Sequence, residues 1–114
     1  METVRYTFRS RGETGTVDAV QPAPGLFVYQ LPEHLQHPWY PWLIGHASGL
    51  CIAMYERYGH AMAAVDEIAD FTDWTRTADE LRATVDAYHL RDVIEYHTAG
   101  VFISADPASA QQAA

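Results

Sequence analysis

The apolar pattern of this chain changes period near residue 57, and that change decides its fold class. Before it, hydrophobic residues alternate or form short runs between turn residues; after it, they recur at helical spacing, about 3.6 residues. Val4, Tyr6 and Phe8 alternate with Arg5, Thr7 and Arg9, the signature of a half-buried strand. Gly12-Glu13-Thr14-Gly15 supplies a turn, and Thr16 to Val20 returns as a second strand. Pro22-Ala23-Pro24-Gly25 breaks the chain before Leu26-Phe27-Val28-Tyr29-Gln30-Leu31, the strongest strand pattern present. Prolines at 32, 38 and 41 make the next stretch a loop, because proline removes a backbone donor. Trp42 to His46 and Leu50 to Tyr55 flank Ala47-Ser48-Gly49, which reads as a hairpin with Gly49 in the left-handed conformation.

In Tyr58 to Phe71, Ala61/Met62, Val65 and Ile68/Ala69 fall on one helical face, while Asp66, Glu67 and Asp70 fall elsewhere. Phe71-Thr72-Asp73-Trp74 ends that helix with two anchoring aromatics. Thr77-Ala78-Asp79-Glu80 matches a capping box, so a second helix is expected from Ala78 to about Tyr88, burying Leu81, Val85 and Tyr88. Residues 90–104 fit two patterns: a helix closed by Gly100 and followed by a short strand, or a hairpin around Thr98-Ala99-Gly100. The first is the expectation. The architecture that follows is a single α+β domain over residues 1–104, with a flexible tail at 105–114. Its antiparallel sheet has four or five strands, with two or three helices packed on one face. The expected core is Tyr6, Phe8, Leu26, Val28, Ile44, Ile52, Met54, Met62, Val65, Ile68, Leu81 and Val85.

Composition bounds the partners. With 48% hydrophobic and 19% charged residues the chain reads as globular. Its net charge is −8, and the charge is lopsided. Residues 1–57 hold four Arg against five acids, whereas residues 58–114 hold three Arg against ten. Such a field repels nucleic acid and attracts basic proteins. Lys and Asn are absent, which points to a GC-rich, actinobacterial source and excludes N-glycosylation sequons. The one cysteine, Cys51, sits in the apolar run Leu50 to Met54, as a buried free thiol does in a reducing compartment. No signal-like N-terminus and no apolar run near ~20 residues is present, so a cytoplasmic, non-membrane location is expected.

Few residues carry recognisable chemistry. His34 and His37, beside Glu33, have a spacing that a metal could use, but a site needs three or four ligands, and these read as polar loop residues. No metal and no cofactor is expected. Gly45-His46-Ala47-Ser48-Gly49 departs from the G-x-S-x-G pattern in register and in its hairpin context, so His46 and Ser48 read as turn residues and no catalytic residue is assigned. A pocket gathering His46, His60 or His97 with a carboxylate would signal a small enzyme or small-molecule binder. The loop Glu33-His34-Leu35-Gln36-His37-Pro38-Trp39-Tyr40-Pro41-Trp42 carries a stiff aromatic ridge suited to an interface, or else a lid on the sheet. No Arg lies between Arg11 and Arg57, so the ridge lacks the cations that nucleic-acid binding requires. Asp66, Asp70 and Asp73 are spaced four and three apart and would line one stripe if the helix persists to its end.

From Trp42 to Leu81 the chain resembles short uncharacterised accessory proteins of actinobacterial plasmids, prophages and phages. The resemblance is carried by Trp42-Leu43-Ile44-Gly45-His46-Ala47-Ser48-Gly49-Leu50, an Ala-rich acidic helix, Asp73-Trp74-Thr75 and Asp79-Glu80-Leu81. It implies a mobile-element accessory role and a hairpin-plus-helix core. The expected function is therefore a non-enzymatic binding or regulatory protein with a basic protein partner. Its expected contacts are His37, Trp39, Tyr40, Asp66, Asp70 and Asp73. A specific version is a phage-type inhibitor that mimics DNA charge. The alternative is a small enzyme or small-molecule binder with a His/Tyr-lined pocket; a homodimer fits either.

Overall fold

The sheet is a meander in strict chain order. Tight turns join the first strand to the second, the second to the third and the fourth to the fifth, a proline-rich loop joins the third to the fourth, and the helices lie between the last two. The computed structural model describes residues 2–103; the tail expected at 105–114 lies outside the described residues. The strands are β1 (Val4–Ser10), β2 (Glu13–Ala23), β3 (Leu26–Gln30), β4 (Trp42–His46), β5 (Cys51–Tyr55) and β6 (Val101–Phe102), all antiparallel to their neighbours. Between β5 and β6 run α1 (Tyr58–Ile68), α2 (Ala78–Thr84) and α3 (Ala87–Asp92), the last continuing into a π-turn over Val93–His97. The fold is α+β as expected. Its sheet has six strands rather than four or five, because Val101 and Phe102 pair with Met54 and Ala53.

Local signals account for most boundaries. The β1–β2 turn is Arg11-Gly12, with φ of 51° and 75°, a two-residue turn of the type that matches strand twist. The turn expected over Gly12 to Gly15 is thus shorter, and Glu13, Thr14 and Gly15 pair with Ser10, Arg9 and Phe8. β2 runs through Pro22 because a bulge between Val20 and Ala23 places that residue outside the regular ladder. At the β4–β5 turn, His46 N–H donates to Leu50 O at 3.0 Å and Gly49 has φ of 91°, the three-residue hairpin that was expected. The Thr77/Glu80 capping box forms in full.

Two helix ends depart from expectation for capping reasons. α1 stops at Ile68, short of Phe71, where Trp74 Nε1–H donates to the Ile68 carbonyl at 2.8 Å. The helix expected from Ala78 to about Tyr88 breaks at Val85, which is extended, and Asp86 begins α3 by accepting from His89 N–H at 3.1 Å. The break turns Tyr88 outward to 85% exposure instead of burying it. From α3 on, the helix-then-strand expectation matches the chain's path.

The helices pack on one face of the sheet, as expected, and a second core lies on the other face. On the helical side Leu26, Val28, Ile44, Ile52 and Tyr55 pack under Ala61, Val65, Ile68, Leu81, Leu90 and Ile94. On the other, Tyr6, Phe8, Tyr29, Leu31 and Leu43 form a second core with Leu35, flanked by Val17, Phe27, Cys51 and Met54. The sheet curls until Arg9 N–H donates to Gly49 O at 2.9 Å, so β1 closes against the β4–β5 turn. Gly45 permits this approach, since a Cβ there would stand 2.4 Å from the Tyr6 hydroxyl. Of the expected core, Met54, Met62 and Val85 are half-buried and the rest are buried. Among the described residues no helix is long and apolar enough to cross a membrane.

These cores hold protonated groups that resist ionisation. Tyr6 donates to His46 O at 2.7 Å, and Tyr55 shares a 2.8 Å bond with Thr98. Burial pushes the Cys51 thiol and the Tyr55 phenol each up to about 12, and raises Tyr6 and Tyr29 as well. In the unfolded chain the same groups ionise near ~8.5 for Cys and ~10 for Tyr. Above those values the folded state binds more protons than the unfolded state, so stability is complete at neutral pH and falls as pH rises through the folded values. Melting temperature should therefore drop steadily from about pH 9 upward, and in a variant whose other tyrosines, Tyr40, Tyr58, Tyr88 and Tyr96, are replaced by Phe, tyrosinate absorbance should appear together with unfolding. Tyrosinate formation in that variant while it stays folded near pH 10 would show the Tyr6, Tyr29 and Tyr55 phenols to be exposed.

Candidate functional site

The aromatic ridge hangs from two buried leucines. Leu31 ends the third strand's apolar run, and the 3-10 turn Glu33–Leu35 follows Pro32, with Leu35 N–H donating to Pro32 O at 2.9 Å. Gln36 Nε2 donates to Leu31 O at 2.9 Å, closing the base of the loop. Beyond it, His37 Nδ1 accepts the Trp39 N–H at 3.1 Å, and its ring lies 6.1 Å from Trp39 and 5.1 Å from Tyr40. His37 and Tyr40 are half-buried, while Trp39 is 73% exposed. Trp42 turns the other way and meets Tyr58 edge-on at 4.9 Å, half-buried. The ridge thus divides its aromatics: Trp42 covers the sheet, and Trp39 faces solvent.

The acidic residues are not brought into one stripe. α1 ends at Ile68, so Asp66 lies on the helix while Asp70 and Asp73 follow it; all three are exposed. Asp73 is occupied locally, its Oδ1 accepting from the Thr75 amide at 3.0 Å and from the Thr75 hydroxyl. Those two bonds hold its carboxyl below the usual range. Glu80 and Asp86 cap helices, and Asp79 pairs with Arg82. Part of the negative charge therefore does structural work, leaving Asp66, Glu67 and Asp70 as exposed charge along α1 and its exit.

The histidines are dispersed. His34 Nε2 pairs with Glu13 Oε2 at 3.1 Å rather than with His37. Among the described residues no three or more His, Cys, Asp or Glu are grouped to hold a metal. His60 and His97 are exposed on separate elements, and neither lines the cavities of about 370 and 480 Å³ described below and at the β2–β3 end. His46 is 5% exposed and fully bonded. Its Nε2–H donates to Arg76 O at 2.8 Å, and its Nδ1 faces the Ser48 amide at 3.1 Å and hydroxyl at 2.9 Å. A carbonyl at one nitrogen and an amide donor at the other place the ring proton on Nε2. Although His46 and Ser48 form a serine–histidine contact, the amide already competes for the only lone pair of Nδ1. The pair ties the β4–β5 turn to the Arg76 segment. No known protein family, curated protein or solved structure matches the chain.

Proposed function

We propose that this chain is a non-enzymatic binding protein whose aromatic ridge, His37, Trp39 and Tyr40, engages a basic protein partner. The observation that carries this reading is Trp39, 73% exposed yet braced by the His37 ring and flanked by prolines. A pre-ordered indole loses little entropy on binding, and Trp is the residue most enriched where binding energy concentrates. The charge supports the partner's chemistry: net −8, with Asp66 and Asp70 exposed. Asp73 contributes to the field but not as a free arm, since it serves the Thr75 turn. The finer version, a mobile-element or phage-type inhibitor competing with DNA for a basic groove, rests on this charge and on the resemblance of Trp42 to Leu81. In either version the chain itself binds no nucleic acid.

The test is affinity capture from a GC-rich actinobacterial lysate with the wild-type chain and with Trp39→Ala, at low and high salt. The wild type should retain a basic protein that high salt or duplex DNA releases. Trp39→Ala should weaken capture by about thirtyfold, the size of a ~2 kcal/mol hot spot, with its melting temperature unchanged. Equal capture by both proteins would remove the ridge from the interface.

A further inference from the structure

The inner face of the curled sheet holds a second feature, which shares His37 with the ridge. A cavity of about 480 Å³ opens between the β1–β2 turn, the 3-10 turn, the β4–β5 turn and the start of α2. Its floor is apolar, formed by Leu31, Leu35, Leu43, Cys51 and Met54. Its mouth carries Arg9, Arg11 and Arg82 against Glu13 and Asp79. Among the described residues that is a local excess of one positive charge in a chain of net charge −8. Both acids are already engaged, Glu13 by His34 and Asp79 by Arg82. Arg9 and Arg11 make no ion pair among the described residues. The Arg9 stem crosses Gly49, whose Cβ position lies 2.9 Å from Arg9 Cγ.

From this arrangement we propose that the cavity binds a small amphipathic acid, its apolar body on the Leu43/Met54 floor and its anionic head between Arg9 and Arg11. Guanidinium groups pair with carboxylates through matched, charge-assisted hydrogen bonds, and a floor without charge rewards burial of a chain or ring. The volume lies within the range of small-molecule sites and accepts on the order of fifteen non-hydrogen atoms at about 30 Å³ each. A polyanion is disfavoured by the overall field, whereas a single carboxylate meets only the local excess at the mouth.

Methionine methyl groups report the site directly: Met54 lies on the cavity floor, and Met62 on α1 belongs to the opposite core. Sodium decanoate, below its micellar concentration, should be titrated into the full chain carrying ¹³C-methyl methionine, with decanol and decyltrimethylammonium as neutral and cationic comparisons. Decanoate should shift the Met54 methyl to saturation and leave Met62 in place, binding at least fivefold tighter than decanol, with no saturable shift from the cation. Arg11→Asn removes the charge while creating Asn-Gly, the pair best suited to this turn, so the fold persists. That variant, and Arg9→Gln, should each weaken decanoate about fivefold and leave decanol unchanged. The proposal is overturned if Met54 does not respond to decanoate, if decanol or the cation binds as tightly, or if both arginine variants bind decanoate as the wild type does.

Discussion

Gly25→Ala should destabilise the chain by about 2–5 kcal/mol, a large share of the ~5–15 kcal/mol of a typical domain. Two independent effects combine there. Gly25 sits at φ of 81°, following Pro24 in the β2–β3 turn, and a left-handed alanine costs about 1–2 kcal/mol. The added Cβ would also stand 2.2 Å from the Trp74 carbonyl oxygen, well inside contact distance. A backbone atom cannot rotate aside as a side chain can, so the turn or the Trp74 segment must move, at an overpacking cost of about 1–3 kcal/mol. Thermal melts should show a midpoint lower by more than about 10 °C, while an ordinary alanine melt would mean that the segment over Trp74 yields freely.

Trp74→Ala is expected to cost a similar amount, about 3–5 kcal/mol, through the void it leaves. The indole is 4% exposed and belongs to the helical-side core. Trp74→Phe should cost less, about 1–2 kcal/mol, because the Ile68 carbonyl keeps the Phe71 N–H at 3.0 Å when the indole donor is lost. The two sites should couple. With the indole gone, the exit from α1 loses its anchor and can shift away from an alanine at 25. The double variant Gly25→Ala/Trp74→Ala should therefore be less destabilised than the sum, by about 1–3 kcal/mol. Strict additivity in denaturant titrations would show that something other than the indole fixes the Trp74 backbone.

What the sequence disclosed was the part of the fold with local causes. The period-2 run at Val4 to Phe8, Gly49 in its hairpin and the Thr77/Glu80 box each express their cause within a few residues, and each is found where expected. The curl of the sheet has no such cause. It needs Tyr6, Tyr29 and Gly45 to meet across three strands, and no local pattern foretells a second core on the inner face. At Val85 two local signals competed: helical periodicity continued, but Asp86 could cap a new helix at His89, and the cap won. The same division holds for the candidate surfaces. The ridge was legible because its prolines and aromatics are adjacent in sequence, although only the structure separates exposed Trp39 from half-buried Trp42. The arginine-rimmed cavity was not legible, since Arg82 reaches the mouth from a helix far along the chain from Arg9 and Arg11. The acidic stripe, conversely, was an extrapolation of a helix that Trp74 cuts short at Ile68.

The most direct test of the ridge as a binding surface uses the three tryptophans as their own controls. Full-length protein labelled with 5-fluorotryptophan should show three ¹⁹F resonances, from exposed Trp39, half-buried Trp42 and buried Trp74. On addition of the protein captured at low salt, the Trp39 resonance should move, return when salt is raised, and leave Trp74 unshifted throughout. A complex that forms while the Trp39 resonance keeps its position would contradict the account.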